Sequence, residues 1–214
     1  MTHAHTTRFC LIRHGETDWN AEKRVQGQID IDLNAAGEAQ ARAIAEGLRE
    51  QVFAAVYSSD LLRAWNTAQI AMAGRQIAVS PASILRERDF GVLQGLTAAE
   101  ASLVNPVAHR HHQARTSDYA CENGESLLAF SARVMVGLTA LAARHRGETV
   151  LAFTHGGVLD VVYRAATGRA LDVPRDFLLS NAALNWLDYR DGSWQLIAWA
   201  DRRHLQAALD ELSG

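Results

Sequence analysis

The sequence has little cysteine, no marked excess of one charge and no long apolar run, and each shortage narrows what the chain can be. Cys10 and Cys121 are the only cysteines among 214 residues. They show neither the paired spacing of a zinc site nor the density of a secreted disulfide scaffold, so a reducing cytoplasm is the expected setting. The formal net charge is −3 at pH 7, and no basic or acidic block occurs. That argues against nucleic acid or an anionic membrane surface as the main partner, and any anion site has to be built locally. No run of about 18 apolar residues suggests a membrane span, and the opening MTHAHTTR carries no apolar signal region. Repeats, linkers and low-complexity stretches are also missing. With 48% apolar residues, the chain reads as one domain over 1–214 with a substantial core.

What is present starts with FCLIRHGET, Phe9 to Thr17. A short apolar run that stops at an arginine and a histidine predicts a buried central strand, with Gly15 letting the backbone approach a ligand closely just beyond it. Arg13 offers a planar, permanently charged fork for phosphate or carboxylate, and His14 is suited to act as nucleophile or proton carrier near neutral pH.

Further along, DWNAEKRVQGQIDIDLN reads as a loop across the sheet edge. Asn34 is a candidate N-cap for a helix from about Ala36 to Gln51. Phe53 to Tyr57 is a second strand, Leu61 to Met72 a helix with Arg63 in its first turn, and Ile77 to Val79 a third strand. Ser80 to Gly95 has no clean period and concentrates Arg86, Glu87, Arg88 and Asp89, the mark of a long functional loop. Thr97 to Leu103 is helical in pattern, and the irregular polar stretch NPVAHRHHQARTSDYACEN completes a cap or lid excursion over 97–123. A long helix follows from Gly124 to Arg146, then a strand at Thr149 to Phe153. Thr154-His155-Gly156-Gly157 opens a helix to about Ala166. Ala183 to Tyr189 and Trp194 to Ala200 form a terminal hairpin, and a last helix is expected near the C-terminus.

Strands alternating with helices predict an α/β fold: a three-layer sandwich with a mostly parallel central sheet flanked by helices, and a small cap over its C-terminal edge. Ligands bind outside the carboxyl ends of such strands. Arg13, His14, Arg63, the acidic loop and His155 should therefore gather at one edge as an anion pocket. Helix N-termini near Leu61 and Gly156 would add unpaired amides there. In such a pocket neutral His14 can attack phosphorus, with Arg13, Arg63 and His155 stabilising the transferring phosphoryl group. Glu87 is the candidate acid toward the leaving alcohol and the later base toward water.

The motifs RHGET, WN, QG at Gln26 and Gly27, SSDLLRAWNTA, LRERDFGVLQG and THGG, in that order, resemble the histidine phosphatase superfamily, the phosphoglycerate-mutase-like group. The resemblance runs from Phe9 to about Ala166. It implies phosphorylation of His14, phosphate-pocket arginines at Arg13 and Arg63, a second histidine at His155 and a proton donor at Glu87. It also implies that Asn20, Gln26, Gly27 and Gly156 line the phosphate or substrate pocket, and that Glu125 and Ser126 belong to a GES motif. No metal is implied. The family holds mutases and phosphatases. Ala98, Gly157 and Asp160 stand where mutases tend to carry lysine, asparagine and arginine, so the phosphatase branch is the closer match. The expected partner is a small phosphorylated metabolite. The alternative is a phosphoglycerate mutase, for which a 2,3-bisphosphoglycerate primer would serve as cofactor.

Other residues allow other readings. His14, Glu16, His155 and Asp160 could ligate a metal for hydrolysis, although neighbouring arginines oppose a bound cation. His109, His111 and His112 lack a carboxylate or cysteine at ligand spacing and fit a solvated or substrate-facing lid better than a metal site.

Overall fold

A computed structural model describes residues 6–206. Its centre is a six-stranded sheet in the order β3-β2-β4-β1-β5-β6, with β1 at Thr7–Arg13, β2 at Ala55–Ser58, β3 at Val79–Pro81, β4 at Thr149–Thr154, β5 at Leu184–Arg190 and β6 at Ser193–Asp201. The first four of these in spatial order run parallel; β5 is antiparallel to β1 and closes a hairpin with β6. The predicted α/β sandwich and terminal hairpin are both present.

The pleat sends alternate side chains to opposite faces, and both faces are covered. Phe9, Leu11, Val150 and Ala152 meet α6 (Leu127–Arg144) and α7 (Gly156–Thr167). Cys10, Ile12, Leu151 and Phe153 meet α2 (Ala35–Gly47) and α3 (Leu62–Ala71). Helix α6 is long and apolar enough by composition to cross a membrane, but its Phe130, Val134, Leu138 and Leu141 are buried in the first of these layers.

Local chemistry sets the boundaries. The Asn34 side chain accepts from the Gly37 N–H at 2.9 Å and starts α2 where expected. Helix α6 begins at Leu127 rather than Gly124, because the Ser126 hydroxyl accepts from the Ala129 N–H at 3.1 Å and supplies the cap. Strand β3 lies two residues later than expected, in parallel register Val56↔Val79, Tyr57↔Ser80 and Ser58↔Pro81; an edge strand tolerates Pro81.

Two segments expected to be irregular are helical. Asp18–Ala21 forms a one-turn α1 under a reciprocal Thr17–Asn20 capping box. In the cap, α4 (Ala98–Val104) is followed by α5 (Pro106–Gln113), which Pro106 starts at its first turn. Leu93, Ala101, Ala108 and Cys121 give this cap its own small apolar cluster. The expected C-terminal helix falls largely outside the described residues, which end after a short turn at Arg203–Leu205.

Candidate active site

The carboxyl ends of β1, β2 and β4 meet on one rim of the sheet. Arg13 and Thr154 are register partners, so His14 and His155 leave adjacent strands side by side. Their rings lie 5.2 Å apart, tilted by 56°. Both are buried, and burial holds both well below the ordinary imidazole value, with Arg63 the next cause in each case. At neutral pH they are uncharged.

Each ring is oriented by one contact. His14 Nδ1 lies 2.7 Å from the Gly15 carbonyl oxygen. That oxygen can only accept, so Nδ1 carries the proton and Nε2 keeps its lone pair. His155 Nε2 lies 2.8 Å from the Ser59 hydroxyl, which itself accepts from the Leu61 N–H at 3.3 Å. The hydroxyl hydrogen is available to His155 Nε2, and when Ser59 donates it the ring proton stands on Nδ1. Nδ1 is buried without a partner among the described residues. His14 thus presents an unprotonated ring nitrogen, and His155 is held from behind by Ser59.

Two guanidinium groups complete the anion site. Arg63 is fully buried and is held by the carbonyls of Gly27 at 2.6 Å and Ile29 at 3.0 Å; burial pushes it down to about 10, still charged at pH 7. Arg13 Nη1 donates to the Leu179 carbonyl at 2.6 Å. The Nε–H donors of both arginines are buried without partners among the described residues. Buried donors in this state are suited to oxyanions.

Glu87 sits opposite. Its carboxylate takes the Arg88 N–H on Oε1 at 2.7 Å and the Gly157 N–H on Oε2 at 2.9 Å. Neither neighbouring arginine pairs with it: Arg86 forks onto Asp60, and Arg88 turns to the carbonyls of Glu125 and Tyr119. The Glu87 carbonyl is gripped by Gln28 Nε2 at 3.1 Å and Arg133 Nη2 at 3.2 Å. Arg133 is in turn clamped to both oxygens of Glu125 at 2.8 Å, so the GES motif acts by holding the Glu87 loop.

Arg13, His14, Asn20, Gln26, Gly27, Arg63, Glu87 and Gly156 all line one cleft of about 250 Å3. His155 lies behind it against His14. A larger cleft of about 700 Å3, bordered by Glu16, Gln40, Asp201 and Arg203, holds neither histidine nor either anion-site arginine.

Several expectations are corrected. Gly15 does not give a ligand close access: a Cβ there would fall 2.5 Å from the Gly37 carbonyl oxygen, so its smallness lets the loop after β1 cross the first turn of α2. One amide at each helix start is already engaged, Leu62 N–H by Asp30 Oδ1 at 2.7 Å and Gly157 N–H by Glu87 Oε2 at 2.9 Å. Two of the four residues in the metal reading are engaged elsewhere. Asp160 is held by Arg115, Arg164 and Arg175, and Glu16 accepts from Asn34 Nδ2 at 3.0 Å.

Three further residues come into the site. Asn181 Nδ2 donates to the His14 carbonyl at 2.9 Å and reaches Gly15 O and Asn20 Oδ1 at 3.3 Å. Arg175 and His112 line the cleft. His112 stands in the lid expected to face substrate, and burial, then Arg88, lowers it to about 4. For Asn181 the available signal is its place just before the apolar strand β5, whose start lies beside the end of β1. Arg175 has no comparable signal.

The buried pair of neutral histidines between two guanidinium groups, at the carboxyl edge of an α/β sheet, defines an enzyme that handles phosphoesters. The chain belongs to the histidine phosphatase superfamily (branch 1), whose family model matches residues 9–202. It is 41% identical over 204 residues to the metal-independent phosphoserine phosphatase of Arabidopsis thaliana, covering 94% of this chain and 84% of the relative. It is 39% identical over 200 residues to phosphoglycerate mutase-like protein 4 of the same plant, covering 92% and 86%. Among solved structures, mycobacterial glucosyl-3-phosphoglycerate phosphatase superposes with a TM-score of 0.81 at 30% identity, covering 92% of this chain and 100% of that one.

Proposed function

We propose that this protein hydrolyses a small phosphorylated metabolite through a phosphohistidine on His14, without a metal ion. The observation that carries the reading is the contact between His14 Nδ1 and the Gly15 carbonyl, which leaves Nε2 free at a cleft lined by Arg13 and Arg63. In the first half-reaction Nε2 attacks phosphorus, the P–O bond to the alcohol breaks, and the Glu87 carboxyl gives its proton to the departing oxygen. Arg13, Arg63 and His155 Nδ1–H neutralise the phosphoryl oxygens. In the second, water attacks the phosphohistidine, the Glu87 carboxylate takes the water proton, and the N–P bond breaks to release phosphate. Asn20 and Gln26 bind the phosphoryl group from the α1 side; the Gly27 carbonyl holds Arg63, and Gly156 leaves space beside Arg13. Two buried free cysteines suit a cytoplasmic setting.

The deciding experiment is His14→Ala with a phosphomonoester panel. It should abolish both phosphate release and an acid-labile phosphoenzyme, and turnover retained in a clean preparation would sink the mechanism. The mutase reading is supported by the phosphoglycerate mutase-like relative. It predicts isomerisation of 3-phosphoglycerate that depends on a 2,3-bisphosphoglycerate primer and exceeds phosphate release.

A further inference from the structure

Apart from the two arginines beside His14, the cleft contains another guanidinium with free donors. Arg175 stands in the irregular segment between α7 and β5 and lines the cleft with His112 and Phe90. Its Nε donates to Asp160 Oδ1 at 3.0 Å, and neither Nη atom has a hydrogen-bond partner among the described residues. Asp160 is buried and also receives Arg115 Nη2 at 2.5 Å and Arg164 Nε at 3.2 Å. Burial alone would raise this carboxyl, but Arg175 and Arg115 outweigh it and hold it below its ordinary value. Three guanidinium groups therefore share one carboxylate, which fixes Arg175 in place while leaving positive charge in excess.

The other cations nearby are committed. Arg24 is neutralised by Glu22 and Glu100 at 2.6 and 2.7 Å, and Arg88 is turned to main-chain carbonyls. Arg13 and Arg63 match the two charges of a phosphoryl group. Arg175 is left facing the part of the cleft that a substrate's non-phosphate end would fill.

We infer that Arg175, positioned by Asp160, reads a carboxylate on the substrate, so that the preferred substrates are short phosphomonoesters bearing a carboxyl group. This rests on the phosphatase reading above. A cleft of about 250 Å3 has room for a phosphoryl group and a short carbon skeleton. The free Nη pair forms a planar fork that a carboxylate takes bidentately, whereas a second phosphate dianion would call for two more cations.

The test uses pairs that differ only by the carboxyl group: O-phosphoserine against phosphoethanolamine, and 3-phosphoglycerate against glycerol phosphate, with p-nitrophenyl phosphate and a short diol bisphosphate alongside. The wild type should favour the carboxylated member in kcat/KM by about 10- to 100-fold, the range for charged hydrogen bonds. In Arg175→Gln that preference should collapse toward unity, and Arg175→Lys, which keeps the charge without the fork, should restore only part of it. Equal use of both members by the wild type, an undiminished preference in either variant, or a stronger preference for the bisphosphate overturns the inference while leaving hydrolysis intact. No phosphate release from any compound, p-nitrophenyl phosphate included, instead brings down the phosphatase reading and this inference with it.

Discussion

The main-chain N–H of Gly157 donates to Glu87 Oε2 at 2.9 Å, and a Cβ on Gly157 would fall 2.0 Å from Oε1 of the same carboxylate. Residue 157 must lack a side chain for Glu87 to stand where it does. Gly157→Ala should displace the carboxylate and lower kcat by about 100-fold or more, as loss of a placed general acid does. Stability should stay within about 1 kcal/mol, because alanine favours the helix by roughly the amount the local shift costs. Steady-state kinetics beside urea melts check both halves, and an unchanged kcat would remove Glu87 from proton transfer.

Glu87→Gln tests the same role without steric change. The amide keeps the volume, can accept only one of the two N–H bonds that the carboxylate takes and loses the transferable proton, so substrates with alkyl leaving groups should lose about 100-fold or more in kcat/KM. For p-nitrophenyl phosphate, whose leaving group needs no proton, the loss in the phosphorylation step should be much smaller. Equal losses for both leaving groups would argue that Glu87 only shapes the pocket.

Much of this site could be read from the sequence because its parts sit at strand ends. Apolar runs ending in Arg13-His14 and Thr154-His155 mark adjacent parallel strands, and their convergence follows from topology alone. Arg63 and Glu87 were legible for the same reason, one in the first turn of α3 just after β2 and the other in the loop after β3. Arg175 was not, because it lies in an irregular segment without period, and Asn181 carries no signal beyond its place just before β5, whose antiparallel return brings it to the site. Helix α5 is not legible because its three histidines and Arg110 mask the helical pattern that Pro106 starts. That Gly15 makes room for Gly37 rather than for a ligand is visible only once α2 is packed against the loop after β1.

Asn181 gives a third prediction. Its Nδ2 spans the carbonyls of His14 and Gly15, and the second of these is the oxygen that fixes the His14 tautomer. Asn181→Ala frees that carbonyl to shift, so kcat should fall by about 10-fold or more, in line with loss of a positioning group near a nucleophile. Asn181→Asp should do no better, because a carboxylate cannot donate to either oxygen. Full activity in both variants would place the control of His14 elsewhere.

The buried histidines also set how stability depends on pH. His14, His155, His112 and His204 are all held below their ordinary value, chiefly by burial, and His112 falls to about 4. In the unfolded chain each returns to about 6.5. Between those values the unfolded state binds protons that the folded state refuses, so the contribution is complete above about pH 6.5 and is lost as pH falls toward the folded values. Each such histidine adds a slope of about 1.4 kcal/mol per pH unit inside its window. The depressed carboxyls Asp60, Glu125 and Asp160 act in the same direction, but from their unfolded values of about 4 downward. Urea melts between pH 6.5 and 5 therefore isolate the histidines, and stability should drop steadily across that interval. His112→Gln should flatten the slope by about one histidine's share, whereas stability level from pH 6.5 to 5 would mean that these rings titrate as they do in water.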